Sequence, residues 1–246
     1  SDDPGGKPET IGSSKDGTND HEKIYGLIEP SNSYPLFANA LRAKDGTSPA
    51  RHMQEVGELF SKFSKVASEN EYAWFPTYRS AEDITDIKPE NRLIGFPYTK
   101  YMNSVMRVNQ SSALVMMSVK KAREMGVPES KWVFMHAGAC LNEIFYLSER
   151  ADYHSSPAIK ACTDSVFDLS GTTQEDMDFL DIYSCFPSAV QIAINELGIS
   201  PDDPRGLTVT GGLPYFGGPG NAYVLHSMAS MMEELRKKKS ILLFLY

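Results

Sequence analysis

At 246 residues, with 41% apolar and 11% aromatic side chains, the chain is long enough for one large domain with a real core, or one domain and an accessory piece. A formal charge of −8 argues against a nucleic-acid-binding surface and gives no membrane-surface signal. Three widely spaced cysteines, Cys140, Cys162 and Cys185, fit neither a disulfide framework nor a CxxC metal pattern, so a reduced intracellular setting is expected, cytoplasmic or organellar.

Residues 1–23 are polar and rich in Gly, Ser and Asp, and are predicted to be a disordered leader. Residues 24–100 are predicted to be helical with long loops and no strands. YPLFANALRA reads as a short helix. The next helix starts with Ser48 as its cap and Pro49 at its first position. Met53, Val56, Phe60, Phe63 and Ala67 recur every three or four residues and form its apolar face. The aromatic loop YAWFPTY follows.

Residues 101–246 change pattern. SALVMMS (112–118) and WVFMHAG (132–138) are compact apolar runs that predict strands, separated by a polar helix closed by Gly126. Ser156 and Pro157 open another helix. DFLDIYS predicts a third strand and PSAVQIAINEL a helix closed by Gly198. LTVTGG is a short extended piece. NAYVLHSMASMMEELRKK reads as the longest helix, with Leu225, Met228, Met232 and Leu235 on one face, and the run RKKK (236–239) suits its carboxyl end. SILLFLY predicts a final strand; its apolar run is far too short to span a bilayer. Apolar strands alternating with helices predict an α/β fold, a mixed, mostly parallel sheet with helices on both faces. Ligands of such sheets sit beyond the carboxyl ends of the strands.

Three features carry chemistry. In DIYSCFPS, Tyr183, Ser184 and Cys185 lie where a buried strand yields to a helix. A thiol at a helix start has a lowered pKa where the dipole acts on it; the alternative is a buried small hydrophobe beside a core aromatic. In GGLPYFGGPGNA, glycines allow close approach of a ligand, and the following helix offers free N–H groups to an anion or oxyanion. The alternative is a tight loop; the spacing fits neither a P-loop nor GxGxxG. His226, early in the last long helix, is a third candidate or else a structural histidine. His21, His52, His136 and His154 show no metal-ligand spacing, although His136 and His154 near Glu143 and Asp152 form a minor candidate cluster.

The order of these motifs resembles the carboxy-terminal half of the thiolase superfamily. More narrowly, it is similar to the thiolase-like proteins related to the sterol-carrier-protein type of thiolase, the acetyl-CoA acetyltransferase-like group. The resemblance runs from Tyr34 to Lys239. MNSVMRVNQSSALVMMS matches the stretch that opens the second half-domain, with Asn103 keeping the first Asn and Asn109 replacing the Asp. YSCF (183–186) falls where the family carries Asn-Glu-Ala-Phe or His-Asp-Cys-Phe. GGLPYFGGPGNA falls where it carries Gly-Gly…Gly-His-Pro, with Gly218 in place of the histidine. Residues 24–100 resemble the loop domain that covers the active site.

The resemblance implies a CoA thioester as substrate, with no covalently bound cofactor and no metal. It implies Cys185 as acid/base, Tyr183 at an oxyanion-donor position, and His226 near the place left by the lost histidine. Asn103, Ser184, Phe186, Gly217, Gly218, Gly220 and Asn221 are implied to bind substrate. The nucleophile-bearing first half-domain and the last strands have no counterpart, so the chain is expected to be truncated, inactive in thiolysis alone, and sticky on the face that half would cover. A homodimer or partner subunit is implied for the full-length protein. Two other functions stay open: an aldolase or lyase acting on acyl-CoA side chains through tyrosines, and a non-catalytic acyl-CoA-binding subunit.

Overall fold

The structure is a computed structural model that describes residues 9, 15–238 and 243–245. Most of residues 1–14, the segment 239–242 and Tyr246 lie outside the described residues, and with them much of the leader and part of the last predicted strand.

The first helix corrects the leader's boundary. α1 (Asp20–Ile24) begins inside it, because Asn19 and Glu22 form a capping box. Glu22 is buried and accepts from the backbone N–H of Ser148 at 2.7 Å, which ties the helix to a loop 126 residues away. The short-range polar groups thus outweigh the disorder-like composition.

α2 (Pro30–Lys44) and α3 (Pro49–Glu69) start with proline at the first turn, where its missing N–H costs nothing. The Ser48 hydroxyl accepts from Arg51 N at 3.2 Å, as a cap should. The predicted stripe is the buried one: Val56, Phe60, Phe63 and Ala67 are at most 1% exposed. Each phenylalanine contributes roughly 1.5–3 kcal/mol by burial. α3, at 21 residues, is the longest described helix, rather than the helix after the glycine-rich loop. Gly57 lets α4 (Ala81–Thr85) pack closely on α3, since a Cβ there would lie 2.7 Å from the Thr85 methyl and 3.0 Å from the Ala81 carbonyl.

A two-stranded antiparallel hairpin, β1 (Leu93–Gly95) and β2 (Tyr98–Thr99), interrupts the segment predicted to be all-helical. α5 (Val119–Glu124), α6 (Pro157–Ser170), α7 (Pro187–Leu197) and α8 (Tyr223–Lys238) follow. Gly171 and Gly198, both at positive φ, end α6 and α7. β3 (Phe179–Asp181) pairs in parallel with β4 (Leu243–Leu245), so the last apolar run does supply a strand.

The large parallel sheet is not found among the described residues, which form only two two-stranded sheets. SALVMMS and WVFMHAG have no regular secondary structure and no ladder partner among them. Val115 and Met116 are 81% and 76% exposed, and Phe134 and Met135 60% and 73%. An apolar run makes a parallel strand only when neighbours take up its backbone groups and cover both its faces. Nothing described does either here.

α8 buries a face other than the predicted one. Tyr223, Ser227 and Met231 point inward, while Leu225 is exposed and Met228, Met232 and Leu235 are half-buried. The cause is polar. The carboxylate of Asp181, 1% exposed at the end of β3, accepts from Ser227 Oγ at 2.5 Å, Thr208 Oγ1 at 2.8 Å and Val209 N at 2.9 Å. A buried carboxylate without donors is costly, so Ser227 faces in. Burial raises the Asp181 pKa above its ordinary value, against the pull of these donors.

Candidate functional site

Three segments far apart in sequence meet at the end of β3. Ser104 N donates to the Cys185 carbonyl at 3.1 Å, and Leu213 N donates to Ser184 Oγ at 3.3 Å. Val105 N donates to the Leu213 carbonyl at 3.3 Å, and Gly218 N returns a bond to the Val105 carbonyl at 2.9 Å. The chain from Asn103 to Gln110 is thereby laid along both the YSCF turn and the glycine-rich loop. The aromatic loop closes the far side: Trp74 N donates to the Phe216 carbonyl and Phe75 N to that of Tyr215, at 2.8 and 3.0 Å.

Cys185 is 8% exposed, and burial pushes its thiol up to about 11, while hydrogen bonding, first of all from Tyr34, pulls the other way. Of the two readings of Cys185, the buried one therefore holds over the dipole-lowered one. In the first turn of α7, residue 187 is a proline, Ser188 N is taken by the Tyr98 hydroxyl at 3.1 Å, and Ala189 N by the Phe186 carbonyl. The backbone N–H groups of Phe186 and of Cys185 itself favour the thiolate, but less than burial opposes it. Desolvation decides the sign.

Tyr183 is half-buried, its ring edge-on to Tyr223 at 5.7 Å. Burial, and then the neighbouring Cys185, raise its phenol above the ordinary value. Both groups are proton donors at neutral pH. Ser184 is fully enclosed and commits its hydroxyl to the loop. Phe186 is buried between Tyr34, stacked at 4.3 Å, and Tyr98 at 5.8 Å. Asn103 Nδ2 donates to the Thr99 carbonyl at 2.7 Å and so ties this segment to β2.

The glycines divide into two sets. Gly211 to Gly218 are buried, and Gly220 and Asn221 are exposed. A Cβ on Gly217 would run into the Gln110 amide, and one on Gly218 into the Ser104 hydroxyl. The space beside these two glycines is filled by the protein's own side chains and holds no open pocket for a substrate. Gln110 Nε2 is anchored to the Phe216 carbonyl at 2.9 Å and to that of Tyr72 at 3.1 Å.

His226 packs edge-on to Phe216 at 5.3 Å; burial lowers its pKa, and its Nε2 is buried without a hydrogen-bond partner. Burial thus favours the neutral imidazole. A series of ring contacts runs from Tyr183 to Tyr223 to Phe216 to His226, so two aromatic rings separate His226 from Tyr183.

The minor cluster has a structural role. Glu143 accepts from Ser156 Oγ at 2.5 Å and Ala158 N at 3.0 Å, which caps α6, and it pairs with Arg150. Among the described residues no group of three or more His, Cys, Asp or Glu side chains is placed to hold a metal. Two shallow clefts, of about 280 Å³ beside Gln174 and Arg205 and about 230 Å³ between Phe63 and Leu207, lie away from Cys185. Tyr34, Tyr98, Ser104 and Gln110 escape sequence reasoning: each reaches the site from a distant element, and no spacing signals that.

No protein-family model and no curated protein matches the chain. Solved structures do. A monomeric SCP2-thiolase-like protein type 1 from Mycobacterium smegmatis is 42% identical over 91% of this chain, with a TM-score of 0.85. The chain spans about half, 49%, of that protein's length. The Ltp2-ChsH2(DUF35) aldolase is similar at 18% identity and a TM-score of 0.64, over 87% of this chain and 56% of the other, a likeness of fold alone. No helix among the described residues is long and apolar enough to cross a membrane.

Proposed function

The chain is a thiolase-like protein related to the sterol-carrier-protein type of thiolases, and from that premise we propose that it handles an acyl-CoA thioester as an acyltransferase of the acetyl-CoA acetyltransferase kind. One observation carries the reading. The three segments that match thiolase motifs, 103–110, 183–186 and 211–218, hydrogen-bond to one another through Ser104, Ser184, Cys185 and Gly218. Motifs dispersed in sequence thus gather around one thiol and one phenol.

In this reading the Tyr183 phenol donates to the thioester carbonyl oxygen as negative charge develops on it. Cys185, held as a thiol, gives a proton, and neutral His226 accepts one. Gly220 and Asn221, both exposed, are the residues of the glycine-rich loop that meet the substrate; the buried Gly217 and Gly218 serve packing against Gln110 and Ser104. The CoA thioester is substrate, and no cofactor is covalently bound. Classical thiolysis by this chain alone is not expected, since Cys185 is protonated and no other cysteine lies in the three segments. Calorimetric titration with acetyl-CoA and acetoacetyl-CoA is expected to show saturable binding without thioester loss. Absence of binding sinks the proposal; binding by the full-length protein without any turnover favours a non-catalytic acyl-CoA-binding subunit.

Tyr183 supports a second reading, a lyase that cleaves a carbon–carbon bond in an acyl-CoA side chain together with a partner subunit. A half-exposed phenol with no histidine at residue 218 suits proton transfer to or from a hydroxyl. The similar aldolase bears a name that joins two components, Ltp2 and ChsH2(DUF35). If Tyr183→Phe leaves the activity of the full-length protein unchanged, this reading loses its main support; no retro-aldol turnover at all rules it out.

A further inference from the structure

We infer that Tyr34, on α2, is a positioning residue for Cys185: it stacks on Phe186 and hydrogen-bonds the Cys185 thiol, so that one side chain from a distant helix sets the sulfur's orientation and its readiness to ionise. The inference rests on the reading of Cys185 as a proton donor, and it adds a residue that neither the motifs nor the resemblance assigns.

The geometry is specific. The Tyr34 and Phe186 rings are 4.3 Å apart and 15° from parallel, so the phenol is held over the turn that carries Cys185. Behind it, Phe37 packs on Tyr34 at 5.6 Å, Tyr153 packs edge-on to Phe37 at 5.5 Å, and the Arg150 guanidinium sits 5.5 Å from the Phe37 ring. Tyr34 is therefore held by rings on α2 and beyond it as well as by Phe186. On the other side, the Cys185 carbonyl is fixed by Ser104 N. Backbone and side chain of Cys185 are each held by a different distant segment.

The chemistry follows. A buried thiol next to aromatic rings resists ionisation, because the thiolate would have no water to solvate it. The Tyr34 hydroxyl donates to the sulfur and favours the thiolate, partly offsetting that cost. It also aims the sulfur, because stacking on Phe186 fixes where the phenol oxygen sits. Without the hydroxyl, the same thiol gives up its proton less readily.

The test reads the thiol itself. In chains carrying Cys140→Ser and Cys162→Ser, the rate of iodoacetamide alkylation of Cys185 is followed against pH, with and without Tyr34→Phe. Tyr34→Phe keeps the ring and removes only the hydroxyl. The profile is expected to move to higher pH by about one unit, a roughly tenfold slower reaction at a given pH below it. Circular dichroism and Tm should stay unchanged. An unmoved profile, or one moved to lower pH, overturns the inference. If Tyr34→Phe does not fold, Phe186→Leu decides: it keeps the hydroxyl and removes the stack, with the same shift expected and the same outcomes overturning it. Because the readout is ionisation and not turnover, it holds or fails independently of whether the protein acts on an acyl-CoA.

Discussion

Gly211 lies directly on the backbone of Ala67, so close that a Cβ on Gly211 would overlap the N, Cα and Cβ atoms of Ala67. This contact joins the glycine-rich loop to α3, and Gly211 also has a φ of +105°, which L side chains rarely adopt. Gly211→Ala is expected to cost about 2–5 kcal/mol, from backbone strain and overpacking together. Gly220 also has a positive φ, of +62°, but a Cβ there meets nothing within 4 Å. Gly220→Ala should cost only about 1–2 kcal/mol. Thermal melts of the two variants separate a close-packing glycine from a merely left-handed one; equal losses would contradict the Ala67 contact.

The cysteines should label in a fixed order. Cys140 is exposed, Cys162 is half-buried and Cys185 is buried. Iodoacetamide on the native chain at neutral pH, followed by peptide mass spectrometry, should modify Cys140 first and Cys185 last. Cys185 should gain reactivity only as the pH approaches its raised value of about 11. The linkage has a definite sign. The ordinary value is 9.0 and the folded value is higher, so the stability gained by burying the thiol is full below pH 9.0. It is lost as pH rises through about 11. Early alkylation of Cys185 at neutral pH would show that the helix dipole, not burial, governs the sulfur.

What the sequence made legible was local. Ser48 with Pro49, Gly126 and Gly198 mark helix ends because a cap or a left-handed turn needs only neighbours in the chain. The α3 stripe was legible for the same reason, and the YSCF and glycine-rich motifs, singled out from the sequence, do meet in space. What depends on distant partners was not. SALVMMS and WVFMHAG have the composition of strands, but a strand exists only where another chain segment completes its ladder. The Leu225 and Met228 face of α8 looked like the inward one until Asp181 claimed Ser227. Gly217 and Gly218 suggested room for substrate, yet Gln110 and Ser104, about 110 residues earlier, fill it. The thiol of Cys185 followed its burial, which no position in the sequence reveals.

His52 should make stability depend on pH. It is 3% exposed between α2 and α3, and its Nε2 has no hydrogen-bond partner. Burial lowers its pKa below the ordinary 6.5; among nearby charges, Glu55 and Asp45 oppose this and Arg42 reinforces it. The folded state therefore holds His52 neutral while the unfolded chain protonates near 6.5. The stability is full above that value and is lost as pH falls towards the depressed one. Tm should drop between about pH 7 and pH 5. His52→Leu, which cannot titrate, should shrink that drop. An undiminished drop in the variant would move the effect to other groups, His226 first, since burial lowers its pKa too.

The exposed apolar runs should drive self-association. Val115, Met116, Phe134 and Met135 are each at least 60% exposed, on segments that have no described ladder partner. Backbone with free N–H and C=O groups and apolar side chains is a template for pairing with another chain. Light scattering on the purified chain should therefore show a mass that grows with protein concentration. Val115→Glu together with Met135→Lys should reduce that growth without lowering Tm, because neither side chain is buried in the folded chain. Surface changes of this kind shift stability by only about 0.5 kcal/mol. A concentration-independent monomer before substitution would mean that these runs are already covered. A variant that associates as strongly as the parent would place the sticky surface elsewhere, with the exposed Trp74 and Tyr78 of the aromatic loop as the next surface to alter.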